Sequence, residues 1–159
     1  MKTVDSPLPW RSWAPPILWA LTILSLSGNL GSFSSTFGIF KWVVSWIVTL
    51  DIPTLESLHL SFRKVLHVIC YGVLAVLWFR ALMASSPHRP GINRILALIL
   101  CLMVALGDEG RQYLHPARSA SWGDVALDLS GGVLFLFVFS RYWERKGRFS
   151  PEARRPPIP

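Results

Sequence analysis

Long apolar runs, rather than short alternations of apolar and polar positions, dominate this chain. Each run is apolar on every face of a helix, which is typical of helices surrounded by lipid. We place four candidate spans at about residues 15–33, 65–83, 92–107 and 125–142. The pattern therefore predicts an all-α membrane protein built as a bundle of four transmembrane helices.

A further apolar segment lies between the first two spans, at residues 37–50, and carries Trp42 and Trp46 four positions apart. It is too short to cross a hydrocarbon core, which takes about 20 residues. Tryptophan is enriched at the level of the lipid headgroups. We therefore expect a short interfacial or re-entrant helix here, ended by the turn-forming residues 51–54.

These elements form one membrane domain, which we place at residues 15–143. A cytoplasmic segment, residues 1–14, precedes it. Residues 144–159 are basic and rich in proline and show no apolar period, so we expect a disordered cytoplasmic tail.

Composition agrees with a membrane protein, since 52% of the 159 residues are hydrophobic. A net charge of +7 could indicate a nucleic-acid partner. However, the basic residues flank the apolar spans, as the positive-inside rule predicts, and we expect no nucleic acid. Cys70 and Cys101 both fall inside apolar spans, where cysteine is more often a small packing residue than half of a disulfide.

The distribution of charge also predicts the orientation. With four crossings and a cytoplasmic amino terminus, eleven of the 16 Lys and Arg residues lie on the inner side and five on the outer side. Both termini are therefore predicted to be cytoplasmic. Most of the carboxylates fall on the opposite, outer side: Asp51, Glu56, Asp108, Glu109, Asp124 and Asp128.

Polar residues mark the outer ends of three spans. Lys64, His67 and Tyr71 are spaced i, i+3 and i+7, so they share one helix stripe. Carboxylates at the rim of a bilayer are costly and usually have partners or a function. If these ends meet, they form one polar site that faces outward.

The acidic positions have helical spacing as well. Asp108 and Gln112 are four apart, as are Asp124 and Asp128, and the guanidinium of Arg118 could clamp a carboxylate or a phosphate. We expect the ligand-binding residues to be Arg63, Lys64, His67, Tyr71, Asp108, Glu109, Gln112, Arg118, Asp124 and Asp128.

The order and spacing of these residues resemble the VanZ-like family of small integral membrane proteins. The resemblance covers about residues 63–132. Four positions depart from the family pattern, namely Val68, Cys70, Ala117 and Asp128, and at the last of these family members usually have Asn. The resemblance is carried by Arg63-Lys64-x-x-His67-x-x-x-Tyr71, Asp108-Glu109-x-x-Gln112, Pro116-x-Arg118 and Asp124-x-x-x-Asp128-x-x-Gly131.

The resemblance implies a multi-pass protein of the bacterial inner membrane that acts at the cell envelope. The family takes its name from a factor that confers low-level resistance to the glycopeptide antibiotic teicoplanin. It implies no established reaction.

Three functions fit the residues. The polar site could bind a charged membrane lipid or a phosphate-bearing cell-wall intermediate. It could be an enzyme acting on a lipid-linked substrate, with His67, Asp108, Glu109 and Arg118 as catalytic candidates. It could also be a purely structural cluster of ion pairs.

We expect no metal and no cofactor. Arg118 and Lys64 would compete with a cation for the carboxylates, although carboxylates are suitable ligands for divalent ions. His59, His88 and His115 show no ligand spacing, and the sequence predicts that they lie in loops.

Overall fold

The computed structural model describes residues 10–27, 33–113 and 121–146, and the regular structure in these ranges is entirely α-helical. This confirms the predicted all-α class. The helices are α1 (Trp10–Leu26), α2 (Phe33–Ser45), α3 (Ile52–Ser85), α4 (Pro90–Tyr113) and α5 (Trp122–Arg145).

Three of these helices, α3, α4 and α5, are long and apolar enough to cross a membrane. Helix α1 has 17 residues. At about 1.5 Å per residue it measures roughly 26 Å, slightly less than a hydrocarbon core of about 30 Å. The count of four spans therefore stays a prediction. The short helix α2 lies between α1 and α3 in sequence, in the region expected for the interfacial helix.

The helices extend beyond the spans predicted from hydropathy. Helix α3 begins at Ile52 rather than near residue 65, because Asp51 caps it by accepting a hydrogen bond from the Thr54 amide at 3.3 Å. The hydrogen bonds from Thr54 lower the pKa of the Asp51 carboxyl below its usual range. Helix α4 likewise continues past residue 107 to Tyr113. Hydropathy marks the apolar part of a helix, not its ends.

Helix α1 also begins earlier than the predicted span, which starts at about residue 15. A first helix that began with the predicted span, near residue 15, would have Pro15 and Pro16 in its first turn, where proline is well tolerated. The helix instead begins at Trp10, so both prolines lie inside it.

Side-chain contacts fix the direction of each helix. The indole nitrogen of Trp13, near the start of α1, donates to Ser85 Oγ at the end of α3, at 3.1 Å. Further along α1, Trp19 donates to the carbonyl oxygen of Cys70 at 2.9 Å. Helices α1 and α3 are therefore antiparallel. The end of α1 lies beside the middle of α3.

Helix α5 runs parallel to α3 and packs closely against it. At Gly131, an added Cβ would lie 2.8 Å from Val68 Cα and clash with the Val68 carbonyl oxygen. The glycine therefore allows the two backbones to approach, as small residues do between membrane helices. Leu74, Phe79 and Leu136 are buried in the core between these helices.

Helix α2 packs on the first part of α3 through aromatic rings. Phe33, Phe37 and Phe40 form a stripe along α2, and their ring centroids lie 4.9, 5.5 and 5.0 Å from that of His59. His59 is therefore a buried residue of α3, 2% exposed, and the prediction of a loop position was wrong. The error follows from the early start of α3.

The opposite end of the bundle has its own polar contacts. Arg94 of α4 forms an ion pair with Glu144 of α5 at 2.5 Å and donates to Ser140 Oγ at 3.2 Å.

Cys70 and Cys101 are both free thiols, as expected for packing residues.

Candidate functional site

Side chains from four helices meet where α1 and α4 end and α5 begins. We call Ser27, His67, Asp108, Gln112 and Asp128 the polar cluster. Four of its members were predicted site residues, and they lie on three separate helices, so α3, α4 and α5 do bring polar residues together.

The shortest link between α3 and α5 joins His67 to Asp128. His67 Nδ1 lies 3.0 Å from Asp128 Oδ1, and the side chains are 30% and 1% exposed, respectively. The carboxylate therefore fixes the orientation of the imidazole. Within the described ranges, His67 Nε2 makes no hydrogen bond.

A second link joins α1 to α4 through Asp108. Its Oδ2 accepts hydrogen bonds from Ser27 Oγ at 2.5 Å and from Gln112 Nε2 at 3.2 Å. Gln112 Nε2 also lies 3.3 Å from Ser27 Oγ. Nearby, Arg111 donates to the carbonyl oxygen of Leu24 in the last turn of α1. The predicted i, i+4 pair on α4, Asp108 and Gln112, therefore contacts the end of α1.

Several buried polar atoms at this end have no hydrogen-bond partner among the residues that the structure describes. They are one carboxylate oxygen of Asp108, one of Asp128, and the hydroxyl of Tyr71. All three residues are at most 1% exposed. A buried polar group without a partner costs about 1–3 kcal/mol. The end of the bundle therefore carries unused capacity to accept and donate hydrogen bonds.

Glu109 has a different role from Asp108. Its Oε2 accepts a hydrogen bond at 2.8 Å from the backbone amide of Ser121, the N-cap residue of α5. Glu109 therefore positions the start of α5. Asp124, in the first turn of α5, is half-buried, and its side chain makes no hydrogen bond within the described ranges.

The two neighbouring cations of α3, Arg63 and Lys64, have different surroundings. Arg63 Nη1 donates to Thr36 Oγ1 of α2 at 3.1 Å. Lys64 is exposed, and among the described residues its side chain has neither a hydrogen bond nor an ion pair. The predicted stripe thus brings His67 and Tyr71 to the site without Lys64. Arg118, also expected there, lies outside the described residues.

Beside the polar cluster, α1, α2 and α3 enclose a groove of about 600 Å³, which we call the apolar groove. Its walls are formed mainly by aliphatic and aromatic side chains. Its polar lining includes Ser27, Thr36, Arg63, His67 and Tyr71. The cluster and the groove therefore share His67 and Ser27.

The VanZ/LLP1 family model matches residues 12–143 of this chain. The chain belongs to the VanZ/LLP1 family. The expected resemblance is thereby confirmed, and with three helices able to cross a bilayer the chain is a membrane protein. No curated protein and no solved structure matches it.

In this VanZ/LLP1 member, no three His, Cys, Asp or Glu side chains within residues 10–27, 33–113 and 121–146 are grouped as they would be around a metal ion. The polar cluster instead mixes carboxylates with an amide, a hydroxyl and an imidazole. Such a set of side chains can both donate and accept hydrogen bonds.

The sequence missed three residues of the site. Ser27 follows a run of ordinary apolar residues, and neither it nor Thr36 has a distinctive spacing. His59 could have been found from the Phe33, Phe37 and Phe40 stripe, whose i, i+4, i+7 spacing predicts an aromatic helix face that needs a partner.

Proposed function

We propose that this VanZ/LLP1 protein binds a charged lipid at the polar cluster, either a phosphate-bearing membrane lipid or a cell-wall intermediate. Arg63 and His67 would contact the phosphate. The carboxylates of Asp108 and Asp128 would accept hydrogen bonds from hydroxyl or amine groups of the same headgroup. We extend the proposal to the bacterial inner membrane, with both termini in the cytoplasm, and to a role at the cell envelope that could include teicoplanin resistance.

One observation carries the proposal. Buried oxygens of Asp108 and Asp128 have no partner among the described residues, and they lie beside the half-buried His67. Removing carboxylates from water is costly unless hydrogen bonds replace the lost hydration. A headgroup that donates to these oxygens would supply the missing bonds, which supports ligand binding over a closed structural cluster.

The adjacent cations of α3 provide a matched test. Arg63 lines the apolar groove, whereas Lys64 is exposed away from it. A hydrogen bond to a charged group contributes about 1.5–3 kcal/mol, so Arg63→Gln should weaken binding of dioleoyl phosphatidic acid roughly tenfold or more. Lys64→Gln should leave it unchanged. Native mass spectrometry of the purified protein with added lipid measures both.

Two results would count against headgroup recognition here. One is an equal loss in both variants, which would indicate only general attraction between cations and an anionic lipid. The other is unchanged binding in Arg63→Gln. Dioleoylglycerol, which lacks the phosphate, is the control lipid and should not respond to Arg63→Gln.

The paired His67 and Asp128 favour a second candidate, an enzyme acting on a phosphate-bearing lipid. A carboxylate on Nδ1 holds an imidazole in the orientation in which Nε2 can take a proton from water or a hydroxyl group. The expected activity is release of inorganic phosphate from phosphatidic acid vesicles, abolished in His67→Ala. No release above the level of empty vesicles would exclude this substrate.

A further inference from the structure

We propose that the apolar groove between α1, α2 and α3 holds one hydrocarbon chain of the bound lipid. This inference rests on the proposed function, because the phosphate at Arg63 and His67 would place the chain. It adds what the polar cluster alone does not give: a site of defined shape for the hydrophobic part of the ligand.

The size and lining of the groove fit such a chain. Its volume of about 600 Å³ lies within the range of roughly 300–1,000 Å³ that is usual for small-molecule sites. Leu26, Ile39, Val43, Phe62 and Leu66 contribute apolar walls. Ile39 and Val43 are 67% and 48% exposed, so the groove is open on the side of α2. In a bilayer, hydrocarbon rather than water surrounds such an opening.

The polar residues of the lining determine which end of a bound molecule would carry its polar groups. Arg63, Ser27 and His67 lie on the groove, and His67 also belongs to the polar cluster. Tyr71, which lines the groove as well, is fully buried, and its hydroxyl has no partner among the described residues. An amphiphile matches both the polar residues, through its oxygen-rich head, and the apolar walls, through its hydrocarbon chain. A peptide would bring backbone amides that aliphatic walls cannot satisfy.

The chain offers a matched pair of valines for the test. Val43 lines the groove and is 48% exposed, whereas Val133 of α5 is 49% exposed and lies outside it. Val43→Trp should fill the groove, and Val133→Trp adds the same bulk to an open helix face. Ile39→Trp gives a second filling variant. Circular dichroism and gel filtration in detergent should show that the variants remain helical and monodisperse.

The probe is a phosphatidic acid with a diazirine in one acyl chain, reconstituted with the protein in phosphatidylcholine vesicles. Illumination should label peptides of α2 and α3 that line the groove, around residues 39–44 and 62–70. In Val43→Trp and Ile39→Trp this labelling should fall roughly tenfold, which corresponds to about 1.4 kcal/mol. In Val133→Trp it should be unchanged. Labelling spread evenly over the lipid-facing helices, or unaffected by Val43→Trp, would overturn the inference.

The same experiment separates this inference from the proposed function. Arg63→Gln should abolish the preference for the phosphatidic acid probe over a diacylglycerol probe with the same diazirine chain. If that preference persists while groove labelling is lost in Val43→Trp, headgroup recognition is wrong and the chain site stands. If the preference is lost but labelling is uniform, the polar cluster binds the headgroup and the groove does not hold the chain.

Discussion

At the residue scale, the site combines paired and unpaired groups. His67 and Asp128 satisfy each other across two helices, as do Ser27 and Asp108. The second oxygens of both carboxylates are buried without partners in the described part of the chain. A purely structural cluster would be expected to use these oxygens, because each unsatisfied buried group weakens the fold.

Changes at Asp128 should separate hydrogen bonding from charge. Asp128→Asn keeps an acceptor for His67 and gives the residue usual in VanZ-like relatives, so stability should change by less than about 1 kcal/mol. Asp128→Ala leaves the imidazole without its partner and should cost about 1–3 kcal/mol. Thermal unfolding in detergent measures both. The control is Asp124→Ala, expected within about 0.5 kcal/mol because the Asp124 side chain makes no hydrogen bond within the described ranges. Equal losses in all three variants would refute the pairing.

The contact between Ser27 and Asp108 should behave as a coupled pair. Ser27→Ala removes a hydrogen bond to a carboxylate and should lower the free energy of unfolding by about 1.5–3 kcal/mol. Asp108→Asn should reduce folded yield, and the double variant should lose less than the sum of the single losses, since neighbours that share a bond are not additive. Strictly additive losses would mean that the 2.5 Å contact contributes little.

The convergence of the polar residues could be predicted, but their partners could not. Positive-inside counting assigned the ends of three spans to one side, which is why His67, Asp108 and Asp128 were expected together. Lys64 shares their spacing, but its side chain is exposed, because spacing fixes a stripe and not the depth at which neighbouring helices cover it. Ser27 carried no signal, since a serine near a helix end is common.

At the element scale, α3 organises the molecule. It contacts every other helix, and its 34 residues carry the groove wall, His67 and the surface for α5. Hydropathy detected only its apolar second half. The first half is half polar and is held as a helix by the Asp51 cap and by the aromatic stripe of α2 on His59. A hydropathy average over a stretch of sequence does not detect tertiary contacts of this kind.

The close contact of α3 and α5 should be sensitive to a single methyl group. Gly131→Ala would push a Cβ into the backbone of Val68 and should destabilise the protein by about 1–3 kcal/mol. Gly107→Ala is the control: nothing lies within 4 Å of an added Cβ there, and alanine favours a helix by up to about 1 kcal/mol. Thermal unfolding should show opposite signs for the two variants. Equal stability would mean that α3 and α5 do not approach at Gly131.

At the scale of the whole molecule, the all-helical class and the VanZ/LLP1 family were predictable because apolar runs and spaced polar residues are written directly in the sequence. The number of crossings stays a prediction, since α1 has 17 helical residues and is shorter than a typical span. The antiparallel contacts of α1 with α3 are consistent with the proposed orientation, in which α1 and α4 run toward the outer side.

The orientation can be tested with fusions to either terminus of the full chain. Green fluorescent protein at each end should be fluorescent, and alkaline phosphatase at each end should be inactive, because phosphatase folds only outside the cytoplasm. An active phosphatase at either end would contradict the predicted orientation, in which both termini and eleven of the 16 basic residues lie inside.

The length of the apolar groove along α3 limits which lipids can reach it. On α3 its lining runs from His59 to Tyr71, a rise of about 18 Å at 1.5 Å per residue, and the bilayer core is about 30 Å thick. With α3 crossing the bilayer, we therefore expect the groove to open to little more than a single leaflet, the one adjoining the polar cluster. A lipid made in the opposite leaflet would have to be flipped across before this protein could capture it, so capture would depend on transbilayer supply.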